Sequence, residues 1–119
     1  MLGKSRCDDP HWQRRFLAGQ IEGLMQFAPM FWPTVNSYKR LVDGFWAPVK
    51  PTWGIDNRTA SFRVIPGSAK STRLETRCPG ADVNPYLALA ACIAAGLHGI
   101  EKAMKLTAAA PWPLNTAST

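Results

Sequence analysis

The sequence predicts an α+β fold in which short antiparallel strands are flanked by an N-terminal and a C-terminal helix. Three observations predict it. Apolar residues recur at helical spacing over residues 11–28. The text from residue 52 to 77 alternates apolar and polar side chains between turn formers. Asn84-Pro85 then opens a second, strongly apolar helical stretch. With 119 residues, 46% of them hydrophobic and 18% charged, the chain fits one small domain or a piece of a larger one, and its composition supports a core.

Residues 1–10 read as an irregular polar lead-in. From His11 to Ala28, Phe16, Leu17, Ile21, Leu24, Met25 and Phe27 stand opposite Gln13, Arg14, Gln20 and Glu22, the pattern of one amphipathic helix. Asp8 or Asp9 supplies a start signal, and Pro29 and Pro33 close the helix. Residues 34–51 are rich in turn formers and read as a long ordered loop with one helical turn at Asn36–Leu41; a loop this long is usually functional. Thr52–Ile55 and Ala60–Ile65 read as strands around an Asp56-Asn57 turn, and Pro66-Gly67-Ser68 turns the chain into a third strand that ends at Pro79-Gly80. In the last helix Asn84 is the N-cap and Pro85 the first helical residue. Ile93, Leu97, Ile100 and Met104 form its expected core stripe, the first half being apolar nearly all round. Gly96 and Gly99 suit close packing, Cys92 a core position, and residues 107–119 a frayed tail.

The most informative stretch is Ser71-Thr-Arg-Leu-Glu-Thr-Arg77. On a strand, Arg73, Glu75 and Arg77 share one face, a row about 13–14 Å long, with Leu74 and Thr76 on the other. Such a row suits a metal ion at the carboxylate and phosphate or a substrate carboxylate at the guanidinium forks. On spacing alone, a solvated face with weak ion pairs is the commoner outcome.

Net charge is +6, which raises nucleic acid as a partner. The lysines are scattered, however, and four of the eight arginines (Arg58, Arg63, Arg73, Arg77) fall within 20 residues of strand-like text. That placement suits a pocket for small anions more than a groove for a polyanion, and the five tryptophans do not interleave with the basic residues. The expectation is no nucleic acid. Leu87–Leu97, the longest strongly apolar run, is too short for a bilayer, so no membrane is expected, and the N-terminus lacks the charged-then-apolar pattern of an export signal. Cys7, Cys78 and Cys92 match neither a disulfide framework nor a zinc site, which points to a reducing, cytoplasmic setting. His11 and His98 read as helix-face residues.

Five motifs, in order, resemble the glutamine synthetase family of ATP-dependent glutamate–amine ligases. They are Asn36-Ser37-Tyr38-Lys39-Arg40-Leu41-Val42 with Ala47-Pro48; Asn57-Arg58-Thr59-Ala60-Ser61-Phe62-Arg63; Gly67-Ser68 with Lys70; Arg73-Leu74-Glu75-Thr76-Arg77; and Ala81-Asp82-Val83-Asn84-Pro85-Tyr86-Leu87-Ala88. The similarity is strongest over residues 16–106, and its order and spacing outweigh the solvated-face reading. It implies that the whole chain, 1–119, is part of that family's catalytic domain. It also implies ATP and Mg2+ (or Mn2+) as cofactors, glutamate and ammonia or another amine as substrates, and a homo-oligomer in intact members. Position by position, the resemblance implies Glu75 as a metal ligand and Arg40 and Arg77 as grips on the glutamate carboxylates. Arg58, Arg63, Arg73 and Lys70 would contact phosphate, with Arg58 stabilising the transferring phosphoryl group as the catalytic residue.

Two departures stand out. Glutamine-forming members carry a glutamate just before Ala-Pro that helps bind and deprotonate ammonium; here Trp46 stands there, in the amine-site loop. An indole is no base, though it holds a cation by its π face. A bulkier amine and simple packing of the loop both fit. The family's first metal-binding glutamates, its metal-binding histidine and its small N-terminal domain have no counterparts in this text, and one carboxylate does not hold two or three divalent ions. The chain thus reads as a fragment or remnant, expected to be inactive alone. The alternative reading is a non-catalytic piece that docks on full-length synthetase subunits.

Overall fold

The computed structural model describes residues 11–41 and 50–110. The start signal at Asp8 or Asp9, the Trp46 loop and residues 111–119 lie outside them. Among the described residues, four helices and three strands follow the expected α+β order: α1 (Trp12–Gly23), α2 (Ala28–Phe31), α3 (Val35–Lys39), β1 (Trp53–Ile55), β2 (Phe62–Ile65), β3 (Arg73–Thr76) and α4 (Pro85–Glu101).

The first helix is shorter than its apolar pattern. α1 stops at Gly23, turns carry residues 24–27, and α2 restarts with Pro29 in its first turn. Proline fits there, but in a continued helix its ring would strike the carbonyl of Met25. α3 begins one residue ahead of the expected turn at 36–41. Thr34 accepts from the Ser37 amide, and the Ser37 side chain accepts from Thr34 N, a reciprocal cap. Asn84 and Pro85 start α4 as expected, the Asn84 carboxamide accepting from Tyr86 N at 3.0 Å.

The sheet runs β1-β2-β3 and is mixed. β2 and β3 are antiparallel as expected, pairing Phe62 with Thr76, Arg63 with Glu75, Val64 with Leu74 and Ile65 with Arg73. β1 is parallel to β2 rather than its hairpin partner. Asp56 takes a left-handed conformation (φ 50°), so the chain doubles back over residues 57–61 and re-enters in the same direction. Alternation then divides the sheet. Phe62, Val64, Leu74 and Thr76 face the helices, whereas Arg63, Ile65, Arg73 and Glu75 face away. Phe62 is 1% exposed and centres a core with Leu17, Leu24, Phe31, Trp32, Cys78 and Ala91.

The stripe expected to bury α4 is not the one that does. Ile93 and Leu97 are more than half exposed, as is Leu89, and Ile100 and Met104 are half-buried. The buried face is Ala88, Ala91, Ala95, Gly96 and Gly99, set against α1. A Cβ on Gly19 would lie 2.1 Å from Ala95 O, one on Gly99 2.2 Å from Arg15 O, and one on Gly96 2.2 Å from the Phe16 ring. Backbones this close admit only small residues, which turns the large side chains of α4 outward. Cys92 is half-buried against the core, and His11 and His98 are exposed, as expected. Residues 107–110, expected to fray, are tied to β1. Trp53 Nε1 donates to Thr107 O at 2.8 Å, and Ala110 N donates to Trp53 O at 2.8 Å.

Candidate functional site

The outward sheet face carries the charged side chains. Register sets Arg63 directly opposite Glu75, and Arg63 Nη1 donates to Glu75 Oε2 at 3.0 Å. The same guanidinium donates through Nε to Asp56 Oδ1 at 2.9 Å and through Nη2 to the same oxygen. Asp56 and then Glu75 hold Arg63 protonated more firmly than usual. Arg77, one residue past β3, has its Nε 3.6 Å from Glu75 Oε1. Its Nη1 donates to Arg58 O and, at 3.3 Å, to Ala60 O. The Arg63 and Arg77 side chains are 18% and 16% exposed and that of Glu75 42%. The guanidiniums are therefore fixed by packing while the carboxylate remains open to a ligand.

Two neighbouring segments add to this cluster. Asn57, 1% exposed, accepts from Thr59 N at 2.9 Å and from Thr59 Oγ1 at 2.6 Å and donates to Ala110 O at 3.4 Å. That turn leaves Arg58 exposed beside the carbonyl that receives Arg77. At the C-cap of α3, Arg40 Nη2 donates to Cys78 O at 2.9 Å. The positive charges of Arg40 and Arg77 both reach Cys78, but burial dominates and pushes its thiol up to about 11.

The structure thus brings together Arg63, Glu75 and Arg77, with the Arg58 backbone, and sets the Arg40 guanidinium on the carbonyl of Cys78, the residue that follows Arg77. Arg73 shares the outward face, but its guanidinium turns back to Ser71 O at 3.4 Å. Lys70 stands exposed in the turn that precedes β3. Sequence reasoning missed Asp56, which it took as a turn residue. Locating it against Arg63 requires knowing that β1 lies parallel to β2, and no local signal carries that.

Among the described residues no group of three His, Cys, Asp or Glu side chains could hold a metal ion. Glu75 offers one carboxylate, with Arg63 on one of its oxygens and Arg77 facing the other. That donor set alone does not fit a divalent cation, which takes six or more oxygen ligands. Among the described residues no helix is long and apolar enough to cross a membrane.

A sheet face with fixed guanidinium forks around an open carboxylate is equipped to handle carboxylates and phosphates. Comparison with known proteins is specific. The model of the glutamine synthetase catalytic domain matches residues 5–116. The chain is 56% identical over 93 residues to type-1 glutamine synthetase 2 of Dictyostelium discoideum, covering 78% of this chain and 18% of that protein. It is 50% identical over 104 residues to a gamma-glutamylethanolamide synthetase of Streptomyces coelicolor, 87% of this chain and 22% of the relative. It is 44% identical over 90 residues to a glutamate–isopropylamine ligase of a Pseudomonas species, 76% and 20%. The chain belongs to the glutamine synthetase family, within the catalytic domain, and spans about a fifth of the length of these curated relatives.

Proposed function

We propose that this chain contributes the anion-gripping part of a site that joins the γ-carboxylate of glutamate to ammonia or another amine at the expense of ATP. In that reaction a γ-carboxylate oxygen attacks the terminal phosphorus of ATP, and the bond to the bridging oxygen breaks to release ADP. The amine nitrogen then attacks the acyl carbon, and phosphate leaves. Both steps gather negative charge, and fixed cations lower its cost. Arg40 and Arg77 hold the glutamate carboxylates, Arg58 the transferring phosphoryl group, and Arg63, Arg73 and Lys70 the nucleotide phosphates. Glu75 supplies one ligand to Mg2+ or Mn2+, and the remaining ligands must come from outside the described residues. The observation that carries this reading is the fixed Arg63–Glu75–Arg77 cluster on the outward face, in a chain of this family. The amine is ammonia or a larger one. Relatives named for an ethanolamide product and an isopropylamine substrate, together with Trp46 in the amine-site loop, favour the larger.

The isolated chain is expected to give no measurable amide from glutamate, ATP, magnesium and ammonia, ethanolamine or isopropylamine; steady turnover would refute the incomplete metal site. In a catalytic domain carrying the remaining metal ligands, Glu75→Ala abolishes turnover. There Arg58→Ala lowers kcat by about 10²–10³-fold, as for other transition-state donors, with little change in KM for glutamate. An unchanged kcat would remove the role given to Arg58.

A second reading rests on a different observation. Tyr86, Leu89, Ile93 and Leu97 leave an apolar row exposed on α4. In this reading the chain is a non-catalytic piece that docks on full-length synthetase subunits. Co-purification with an intact synthetase that is lost on Ile93→Asp supports it, and separate elution of chain and synthetase when the two are mixed at micromolar concentration excludes it.

A further inference from the structure

The outward cluster does not use Asp82, yet Asp82 is the carboxylate through which α3 meets the segment after β3. Its Oδ2 accepts from Ser37 Oγ and from Thr34 Oγ1, the latter at 3.3 Å. These are the two side chains of the reciprocal cap that starts α3. Forty-five residues separate Ser37 from Asp82, so the contact is tertiary and not a local turn. Ser37 is 6% exposed, so the hydroxyl side of this junction is buried while Asp82 itself stands at the surface. Four residues before Asp82, Cys78 O receives the Arg40 guanidinium from the other end of α3. Between the two anchors lies Gly80, where a Cβ would stand 2.8 Å from Asp82 Oδ1 and 3.1 Å from Arg40 Nη1. A side chain at this position would push one or both of these flexible side-chain ends aside.

We propose that Asp82 is a positioning residue for Arg40. By holding the N-terminus of α3 it fixes the five-residue helix whose C-cap is Arg40, and so sets the Arg40 fork beside the strand end that carries Arg77. The glutamate-carboxylate grip is then a two-anchor device, with Asp82 clamping one end of α3 and Cys78 O receiving the other. This rests on the reading of Arg40 and Arg77 as that grip, whereas the positioning itself does not.

The test uses the full chain and NMR of its arginine Nε–H groups and backbone amides. In Asp82→Ala, amide protection over residues 35–41 falls at least tenfold and the Arg40 Nε–H resonance moves to the position of a free arginine. Protection across β2 and β3 stays as in the unaltered chain. Asp82→Asn keeps an acceptor oxygen for both hydroxyls and restores most of the protection. Ser37→Ala, which breaks the same contact from the other side, reproduces the Arg40 shift and adds little to Asp82→Ala, because the two changes remove one interaction. Arg40 and residues 35–41 unaffected in both Asp82→Ala and Ser37→Ala would overturn the proposal. Titration with L-glutamate and, separately, with ATP divides the two readings. A tenfold loss of glutamate affinity in Asp82→Ala with ATP affinity unchanged supports both. Displacement of Arg40 with no change in glutamate binding keeps the positioning role and removes the glutamate role of Arg40.

Discussion

At Arg63, two carboxylates meet one guanidinium, and the contacts answer different demands. Asp56 closes the β1 turn, whereas Glu75 belongs to the anion cluster. Pairs whose carboxylates are as open to water as these contribute little to stability. Arg63→Ala is therefore expected to leave the urea midpoint nearly unchanged while releasing Glu75, and a large fall in that midpoint would make the cluster structural. Asp82 has a carboxyl held below the usual range, mainly by the Ser37 hydroxyl. A depressed folded value means that the unfolded chain binds the proton more readily, so stability rises with pH through this window. The contribution is present above the unfolded value of about 4 and is lost as pH falls through the lower folded value. Protection of residues 35–41 should decline at the acid end in the unaltered chain. In Asp82→Asn it should show no such step, and a step of equal size there would assign the titration to another group. Cys78 provides a third check. Fully buried and pushed up to about 11, it should resist thiol reagents near pH 8 until the chain is unfolded, in a variant lacking Cys7 and Cys92.

At the scale of elements, the α1–α4 contact depends on missing side chains more than on large ones. A methyl at Gly19 or Gly99 meets backbone atoms within 2.2 Å, and backbone does not yield as a side chain does. Gly99→Ala is expected to cost about 1–3 kcal/mol or more by overpacking, read from denaturant unfolding, against about 0.5 kcal/mol or less for Leu97→Ser on the exposed face. Equal costs would place the helix crossing elsewhere. The same contact explains what could be read from the sequence. The start of α4 was legible because its cap is local: Asn84-Pro85 marked it to the residue. The buried face of α4 was not legible, because hydrophobic periodicity ranks leucine and isoleucine above alanine and glycine, and here close approach reversed that order. The parallel placement of β1 was hidden for a similar reason. An Asp-Asn turn announces that the chain reverses, and the second reversal over residues 57–61 carries no comparable signal.

For the molecule as a whole, the candidate site was more legible than the packing. Alternation alone set Arg73, Glu75 and Arg77 on one face, and the sheet register adds Arg63 opposite Glu75. Side-chain direction along the row was not legible. Arg73 curls back to its own turn, and Asp82 joins Ser37 across 45 residues. The exposed row on α4 and the open carboxylate of Glu75 fit a chain that spans about a fifth of its relatives, and the docking and ligase readings draw on them in turn. The most direct test of the central claim is a side-chain arginine NMR titration of the intact chain with L-glutamate and ATP. The expected result is that Arg40 and Arg77 shift with glutamate, Arg58 and Arg63 shift with ATP, and Arg14 and Arg15 on α1 stay fixed. Uniform small shifts of all arginines, unchanged in Arg77→Ala, would contradict an anion-gripping site on this sheet face.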